Sequence, residues 1–490
     1  MGKKVTDYLL YRWRYLIGYG IIGLTIVALL LIAGLFIPGG ISQAEVNSVV
    51  SSSNLSIKSF DSFDPASIIN LPYNLLQRAS TELLGVNHFS VKLPSLLLGG
   101  LSVFGMILLL QMWFRRNVAI LTTILVITTG QFLFVAQSGT PSIVYIFWSV
   151  WLLVAAMMIS RGAKHMHFWK ITLFSIAALS LYTPLSIYIL VALASAIVLH
   201  PHLRFLVRQV IKSKAKVTIA ILCALLLIAP LIYAIVLEPS IGMALLGVPD
   251  VLPNLITNGI HLLNQYFGFT TPGSGTLMTP VYGLGSMVLI VLGIIRLFTT
   301  NYTARSYIIS AWVILLTPVL LISPGLTTIT FVPAMLLMAM GIDTLLRSWY
   351  QLFPKNPYAR IAGLIPLTIL VGGMFLSGVG RYMYGYSYDP ETAGNFSNDL
   401  RLITDQLQND DRAKTAIIVS ENEAAFYKVV ARHHNNVTVM TEQPADWPAT
   451  TIVSHAVYNT RSFDITPSKV VTDGSWANAD RFYVYKTDQK

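Results

Sequence analysis

Apolar runs of about twenty residues recur along this chain, too long and too numerous for the core of a water-soluble domain. The first covers roughly 15–36. Others follow near 93–113, 117–136, 142–159, 169–181, 186–200, 217–237, 280–297, 306–322, 326–345 and 361–380. About 20 helical residues are needed to cross a hydrocarbon layer ~30 Å thick. Eleven such runs predict a mostly α, polytopic helical membrane domain. The composition agrees, with 54% hydrophobic and only 11% charged residues, where a soluble domain carries about 25% charge. A mean hydropathy of +0.64 excludes a disordered chain. The fifth and sixth runs are separated only by Tyr182-Thr183-Pro184-Leu185. A proline there interrupts helical bonding, so a re-entrant pair or one kinked helix stays open.

Charge sets the expected orientation. Residues 1–380 hold 22 Lys/Arg and 8 Asp/Glu, whereas 381–490 hold 11 and 14. With eleven spans, 19 of those 22 basic residues fall on the side of the N-terminus, and Lys58, Arg78 and Lys92 alone fall on the other. Basic residues collect on the cytoplasmic side. The N-terminus is therefore expected inside and residues 381–490 outside, in a multi-pass protein of the cell membrane. The first run, preceded by Lys3, Lys4, Arg12 and Arg14, is longer than a signal peptide's apolar region and reads as an uncleaved anchor. The basic excess sits between spans, which argues against a nucleic-acid partner. The single cysteine, Cys223, excludes an intrachain disulfide framework.

Two outer loops are long, 37–92 and 238–279. The first predicts helices at 42–52 and 65–85, the second of them amphipathic and suited to the membrane interface. Beyond 380 the apolar runs stop. Strand candidates at 416–419, 437–440, 451–454 and 482–485, with helices at 395–407 and 421–432, predict a small extracytoplasmic α/β domain over 381–490. Neither a phosphate loop nor a paired-histidine metal motif occurs in it. His433-His434 reads as a solvated helix end, and no metal ligand set is assigned.

Glu45 is the leading candidate for chemistry. It follows Gly39-Gly40 and Ser42, which can cap its helix. Near the membrane surface, partial burial can tune a carboxylate toward base catalysis; a solvated or structural acid is the plain alternative. The order of features beyond it is an amphipathic helix containing Leu71-Pro72-Tyr73-Asn74-Leu75, then Lys92-Leu93-Pro94-Ser95 opening the second span. This order resembles the polytopic GT-C glycosyltransferases that use lipid-linked sugars. It is most similar to the branch of protein O-mannosyltransferases and aminoarabinose transferases, in detail over about 15–200. That branch carries an Arg-Leu-Pro-Ser-like motif where this chain has Lys92.

The resemblance implies a polyprenyl-phosphate sugar as donor, an acceptor among protein hydroxyls, envelope glycans and glycolipids, and membrane lipids as surroundings. It implies Glu45 as base. Lys92 and Arg78, two of the three outer basic residues, would bind the donor phosphate. Snorkelling at the interface would explain Arg78 equally well and Lys92 somewhat less well. Asp61 and Asp64 either assist or cap the helix after Pro65. The family's Asp-Glu pair is Ala44-Glu45 here, and its Arg and Asp after the third span are Gln137 and Ser142. Divalent-cation use is therefore left open, and a catalytically silent accessory protein of a glycosylation system stands as the alternative. A transporter fits less well, because acids inside the spans are nearly absent.

Overall fold

A computed structural model describes residues 9–55, 64–162, 165–211, 214–249, 251–268, 278, 280–299, 303–352, 358, 362, 364–409, 414–434, 436–444, 447–461, 463, 465–473 and 480–486. The membrane part comprises α1 (Leu9–Leu35), α2 (Gln43–Ser53), α3 (Leu71–Leu84), α4 (His88–Trp113), α5 (Arg116–Ile127), α6 (Gly130–Gln137), α7 (Ser142–Ser160), α8 (Met166–Ser180) and α9 (Ile187–Leu199). It continues through α10 (Pro201–Ile211), α11 (Lys214–Leu237), α12 (Ser240–Leu246), α13 (Leu255–Phe267), α14 (Leu284–Thr299), α15 (Ala304–Ile322), α16 (Phe331–Leu352) and α17 (Leu364–Tyr388).

Seven of these helices are long and apolar enough to cross a membrane: α1, α4, α7, α11, α15, α16 and α17. The bent pairs α5–α6 and α9–α10 raise the number to nine if each is one span. Each expected run therefore coincides with a helix, but the expected eleven spans become seven to nine. The remaining two helices, α8 and α14, have 15 and 16 residues, about 23 Å of rise.

The bends have local causes. Between α5 and α6 the axis turns by 65°, where Thr129 Oγ1 accepts from the Phe132 amide and starts a new helix. At α9–α10 it turns by 102° before Pro201, which has no N–H to continue the ladder. In the first outer loop the expected helix over 65–85 is split. Asp64 starts a 3-10 turn at Pro65–Ile68, and Asn70, in the left-handed region at φ 57°, precedes α3. A capping box opens α4, with the Ser90 amide donating to Asn87 Oδ1 at 2.8 Å and the Asn87 amide donating to Ser90 Oγ at 3.0 Å.

The last helix runs eight residues past the expected domain boundary at 380, to Tyr388. The short helix α18 (Pro390–Ala393) then leads into the α/β part. Strand β1 (Ile41–Ser42) pairs antiparallel with β2 (Phe396–Ser397). Then come α19 (Asp399–Asn409), β3 (Thr415–Ile418), α20 (Glu421–Ala431), β4 (Val437–Met440), β5 (Thr450–Ser454), α21 (His455–Tyr458), β6 (Lys469–Thr472) and β7 (Asp480–Lys486). The five-stranded sheet has the order β4-β3-β5-β7-β6. Strand β3 is parallel to β4 and β5, and β7 is antiparallel to β5 and β6. Strand β6, Lys-Val-Val-Thr, has no counterpart among the expected strands.

The α/β core is shared with the first outer loop. Ile41, Val49, Val86 and Val91 pack in one cluster with Ile403, Ile417, Phe426 and Val430. Arg481 on β7 reinforces the seam. Its Nε and Nη2 donate to the two Asp399 oxygens at 2.6 and 2.5 Å, and Nη2 also reaches Ser397 Oγ of β2 at 3.2 Å. A bidentate arginine–carboxylate pair fixes geometry more firmly than a single contact.

The N-terminal end of α4 lies in this shared core, and its far end, Trp113, lies beside α10. Glu421 and His202, both exposed, therefore sit at opposite ends of the bundle. In a background with the half-buried Cys223 replaced by serine, cysteines at these two positions should label differently with an impermeant thiol reagent in sealed cells. Glu421→Cys should react from outside and His202→Cys should not. Equal labelling contradicts this topology.

Candidate functional site

Where the first loop meets the bundle, polar side chains that an apolar helix pair would not carry are buried together. The sequence Ser42-Gln43-Ala44-Glu45 is a capping box. The Glu45 amide donates to Ser42 Oγ at 3.3 Å, while Glu45 Oε2 accepts from the Ser42 amide at 2.7 Å and from Ser42 Oγ at 3.1 Å. Such reciprocal bonds satisfy donors that a helix start otherwise leaves open. The second oxygen does something a cap does not require: Oε1 accepts from the Gly139 amide at 2.6 Å. Gly139 lies in the turn between α6 and α7, 94 residues away in sequence.

The same turn holds the next helix. The Gly139 carbonyl accepts from Gln77 Nε2 of α3 at 2.9 Å, and Gln77 Oε1 accepts from Ser48 Oγ of α2 at 2.7 Å. Lys92 of α4 completes the set, its Nζ donating to Gln137 Oε1 at 2.9 Å and to the Pro38 carbonyl at 3.3 Å. Glu45, Gln77 and Gln137 are wholly buried, and Lys92 is 1% exposed. A side chain at Gly139 would not fit, because its Cβ would stand 2.7 Å from Val91 Cγ1 and 2.9 Å from the Val91 carbonyl.

This cluster carries one negative and one positive charge, which act on each other without a direct ion pair. A buried charge is tolerated when hydrogen bonds and an opposite charge offset its lost hydration. Glu45 has three donors and Lys92 two acceptors. The neighbouring Tyr73 hydroxyl bonds Ser95 Oγ at 2.9 Å. Burial holds its phenol well above the usual range, the Ser95 bond works the other way, and the Glu45 charge adds to the rise. Tyr73 is thus a neutral hydrogen-bonding group at any physiological pH.

Two of the residues singled out from sequence, Glu45 and Lys92, are therefore brought together, but inside the protein rather than at an aqueous surface. Glu45 was expected near the surface and only partly buried, and Lys92 at the interface. Instead the turn at 137–140 covers both. Arg78 lies apart from them. Its Nε bonds Glu82 at 2.6 Å in an i,i+4 pair, and its Nη1 donates to the Leu55 carbonyl. Asp64 caps the 3-10 turn, with Oδ1 accepting from the Ala66 amide at 3.1 Å, while Asp61 lies outside the described residues. Ala44 is exposed on α2, so the acid of this segment points inward and a neutral residue occupies the open position. Gln137, neutral where the family is charged, is the partner of Lys92. Among the described residues no group of three or more His, Cys, Asp or Glu could hold a metal ion.

Gln77 and Gly139 carry as much of this geometry as Glu45, yet nothing in their sequence neighbourhood marks them. Arg381 is a different omission. The apolar run ending at 380 leaves it in the expected soluble tail, although an arginine inside an apolar helix is itself a signal of function. It lies in α17, seven residues before its end.

Replacing Glu45 by glutamine leaves one acceptor oxygen where three donors converge and removes the charge opposite Lys92. Glu45→Gln should destabilise the purified protein by about 1–3 kcal/mol, read as a lower denaturation midpoint. Arg78→Ala, which removes an exposed pair worth about 0–1 kcal/mol, should change the midpoint little. A Glu45→Gln protein as stable as the wild type contradicts the structural role. If that protein also lost turnover by about 10²-fold or more, Glu45 would be a base.

No protein-family model and no curated sequence matches the chain. Solved structures do match its fold. ArnT from Cupriavidus metallidurans bound to undecaprenyl phosphate aligns with a TM-score of 0.56 at 12% identity, over 95% of this chain and 98% of that one. The archaeal oligosaccharyltransferase AglB from Archaeoglobus fulgidus, in complex with an inhibitory peptide and a dolichol-phosphate, aligns with a TM-score of 0.53 at 11% identity. That alignment covers 88% of this chain and 65% of AglB. The match to ArnT takes in the bundle, the first outer loop and the α/β part alike: this chain has the GT-C glycosyltransferase fold.

Proposed function

We propose that the chain is an integral membrane glycosyltransferase that takes a sugar from a polyprenyl-phosphate donor at the outer face of the cell membrane. The observation that carries this reading is the fold likeness to two proteins solved with a polyprenyl-type phosphate, undecaprenyl phosphate in ArnT and dolichol-phosphate in AglB. In the reaction, an acceptor hydroxyl oxygen bonds the anomeric carbon as the bond from that carbon to the phosphate oxygen breaks. The hydroxyl proton goes to a base and the polyprenyl phosphate leaves. The acceptor is a hydroxyl on a protein, an envelope glycan or a glycolipid. In this reading Glu45 and Lys92 are positioning residues, which hold α2, α3 and α4 against the 137–140 turn.

One observation favours a second reading, a non-catalytic member of a glycosylation system. The open position on the first-loop helix is Ala44, and the neighbouring acid is consumed by three internal hydrogen bonds. Purified protein should be incubated with a radiolabelled polyprenyl-phosphate sugar and a membrane acceptor fraction. Time-dependent transfer of label with release of polyprenyl phosphate is the expected result. No transfer by folded protein, together with transfer by Ala44→Asp, supports the silent reading, since a placed base contributes about 10²–10⁴-fold. No transfer by either protein contradicts the enzyme.

A further inference from the structure

The sequence of α17 sets apolar residues and Arg381 on one helical face. Leu370, Met374, Gly378 and Arg381 follow at spacings of four, four and three, so they share a stripe. The structure lays this stripe against the break between α5 and α6. The approach is close because residue 378 is glycine: a Cβ there would stand 2.3 Å from the Thr128 carbonyl. Between α17, the break and the start of α14 lies a cleft of about 350 Å³.

The two ends of the cleft differ. One is walled by Ile369 and Leu370 of the apolar helix α17, where Ile369 is 69% exposed. Arg381, Thr129 and Gln131 lie at the other end. The distance along α17 from Ile369 to Arg381 is roughly 18 Å at 1.5 Å per residue. Helix α6 begins here, which places the positive end of its dipole at the same wall.

The polar end is unsatisfied. Gln131 is 1% exposed, and neither its Oε1 nor its Nε2 has a hydrogen-bond partner. Nη2 of Arg381 is buried and equally unpartnered, and no described carboxylate lies within 4.0 Å of the guanidinium. Buried amides and guanidinium groups left in this way are costly, and native proteins rarely keep them without an occupant. Lys92 and Arg78 differ from Arg381, since both have protein acceptors.

We propose that this cleft seats the phosphate of a single-chain polyprenyl phosphate, with Arg381 and Gln131 on the head group and the first prenyl units at the Ile369–Leu370 end. The assignment rests on the glycosyltransferase reading and names the residues that hold its donor lipid. Guanidinium matches phosphate oxygens with paired donors. Gln131 supplies one more donor, and its carbonyl can accept from a hydroxyl of the attached sugar. The volume suits one chain and a phosphate, not a two-chain phospholipid.

Binding of undecaprenyl phosphate to the purified full chain, read by native mass spectrometry and thermal shift, tests this. Wild type should bind it, and Arg381→Ala should bind about tenfold more weakly or worse, the loss expected for one charged hydrogen bond. Arg381→Lys should fall between them. Gln131→Met removes an unsatisfied amide without opening space. It should match or exceed the thermal stability of the lipid-free wild type and yet bind the lipid more weakly, which keeps the test decisive if Arg381→Ala does not fold. Undecaprenol, which lacks the phosphate, should bind weakly.

Equal lipid binding by wild type and the folded variants overturns the assignment. Equal affinity for phosphatidylglycerol, or for inorganic phosphate alone, also overturns it. Binding is read apart from transfer. Arg381-dependent binding without sugar transfer would leave the cleft and remove the enzyme, whereas transfer with unchanged binding in Arg381→Ala would do the reverse.

Discussion

The hydrogen bond from the Gly139 amide to the Glu45 carboxylate is the contact that ties the 37–92 loop to the helical bundle. It joins a helix start in the first loop to a turn between two bundle helices. Through Gln77 and Lys92 the same turn holds α3 and α4. The carboxylate can do this because it is charged, buried and supplied with three donors. A neutral amide offers half the acceptor capacity. The loop that carries α2 is thereby a rigid part of the bundle rather than a cover lying over it.

The α/β domain packs against the adjoining face of the same helix. Strand β1 ends at Ser42, the residue that caps α2, and pairs with β2 from the far end of the chain. Val49 on α2 and Val91 on α4 enter the core beneath the five-stranded sheet. The bundle and the small domain therefore grip α2 from two directions, one through buried hydrogen bonds and the other through apolar packing. This explains why a domain without catalytic motifs of its own matters to the site: it fixes the helix on which the open position, Ala44, is displayed.

Much of the bundle was legible because hydrophobic runs and positive charge are set by the membrane, not by partners within the fold. Every expected run became a helix, and the exceptions have a common cause. At 128–129, 200–201 and 70 the chain changes direction for tertiary reasons that local hydropathy does not record. Strand β6 was missed because four residues with a lysine and a threonine give too short an alternation to stand out. The site was legible only in part. Ser42 and Glu45 announce a cap, but the partner that buries Glu45 is a glycine amide 94 residues away, and no sequence pattern marks an amide. Lys92 looked like an interfacial cation because the turn that covers it is distant in sequence. Arg381 falls just outside the last apolar run, which ends at 380, so hydropathy alone places it in the soluble part.

The resulting account divides labour between two sets of polar residues. Glu45, Gln77 and Lys92 are hydrogen-bonded around the 137–140 turn and hold the fold, while Arg381 Nη2 and the Gln131 amide have no partner beside the cleft. A structure determined with undecaprenyl phosphate bound tests this division most directly. The account predicts phosphate density against the Arg381 guanidinium, with the Lys92–Gln137 and Glu45–Gly139 hydrogen bonds intact. Phosphate density against Lys92, with those bonds broken, would contradict it.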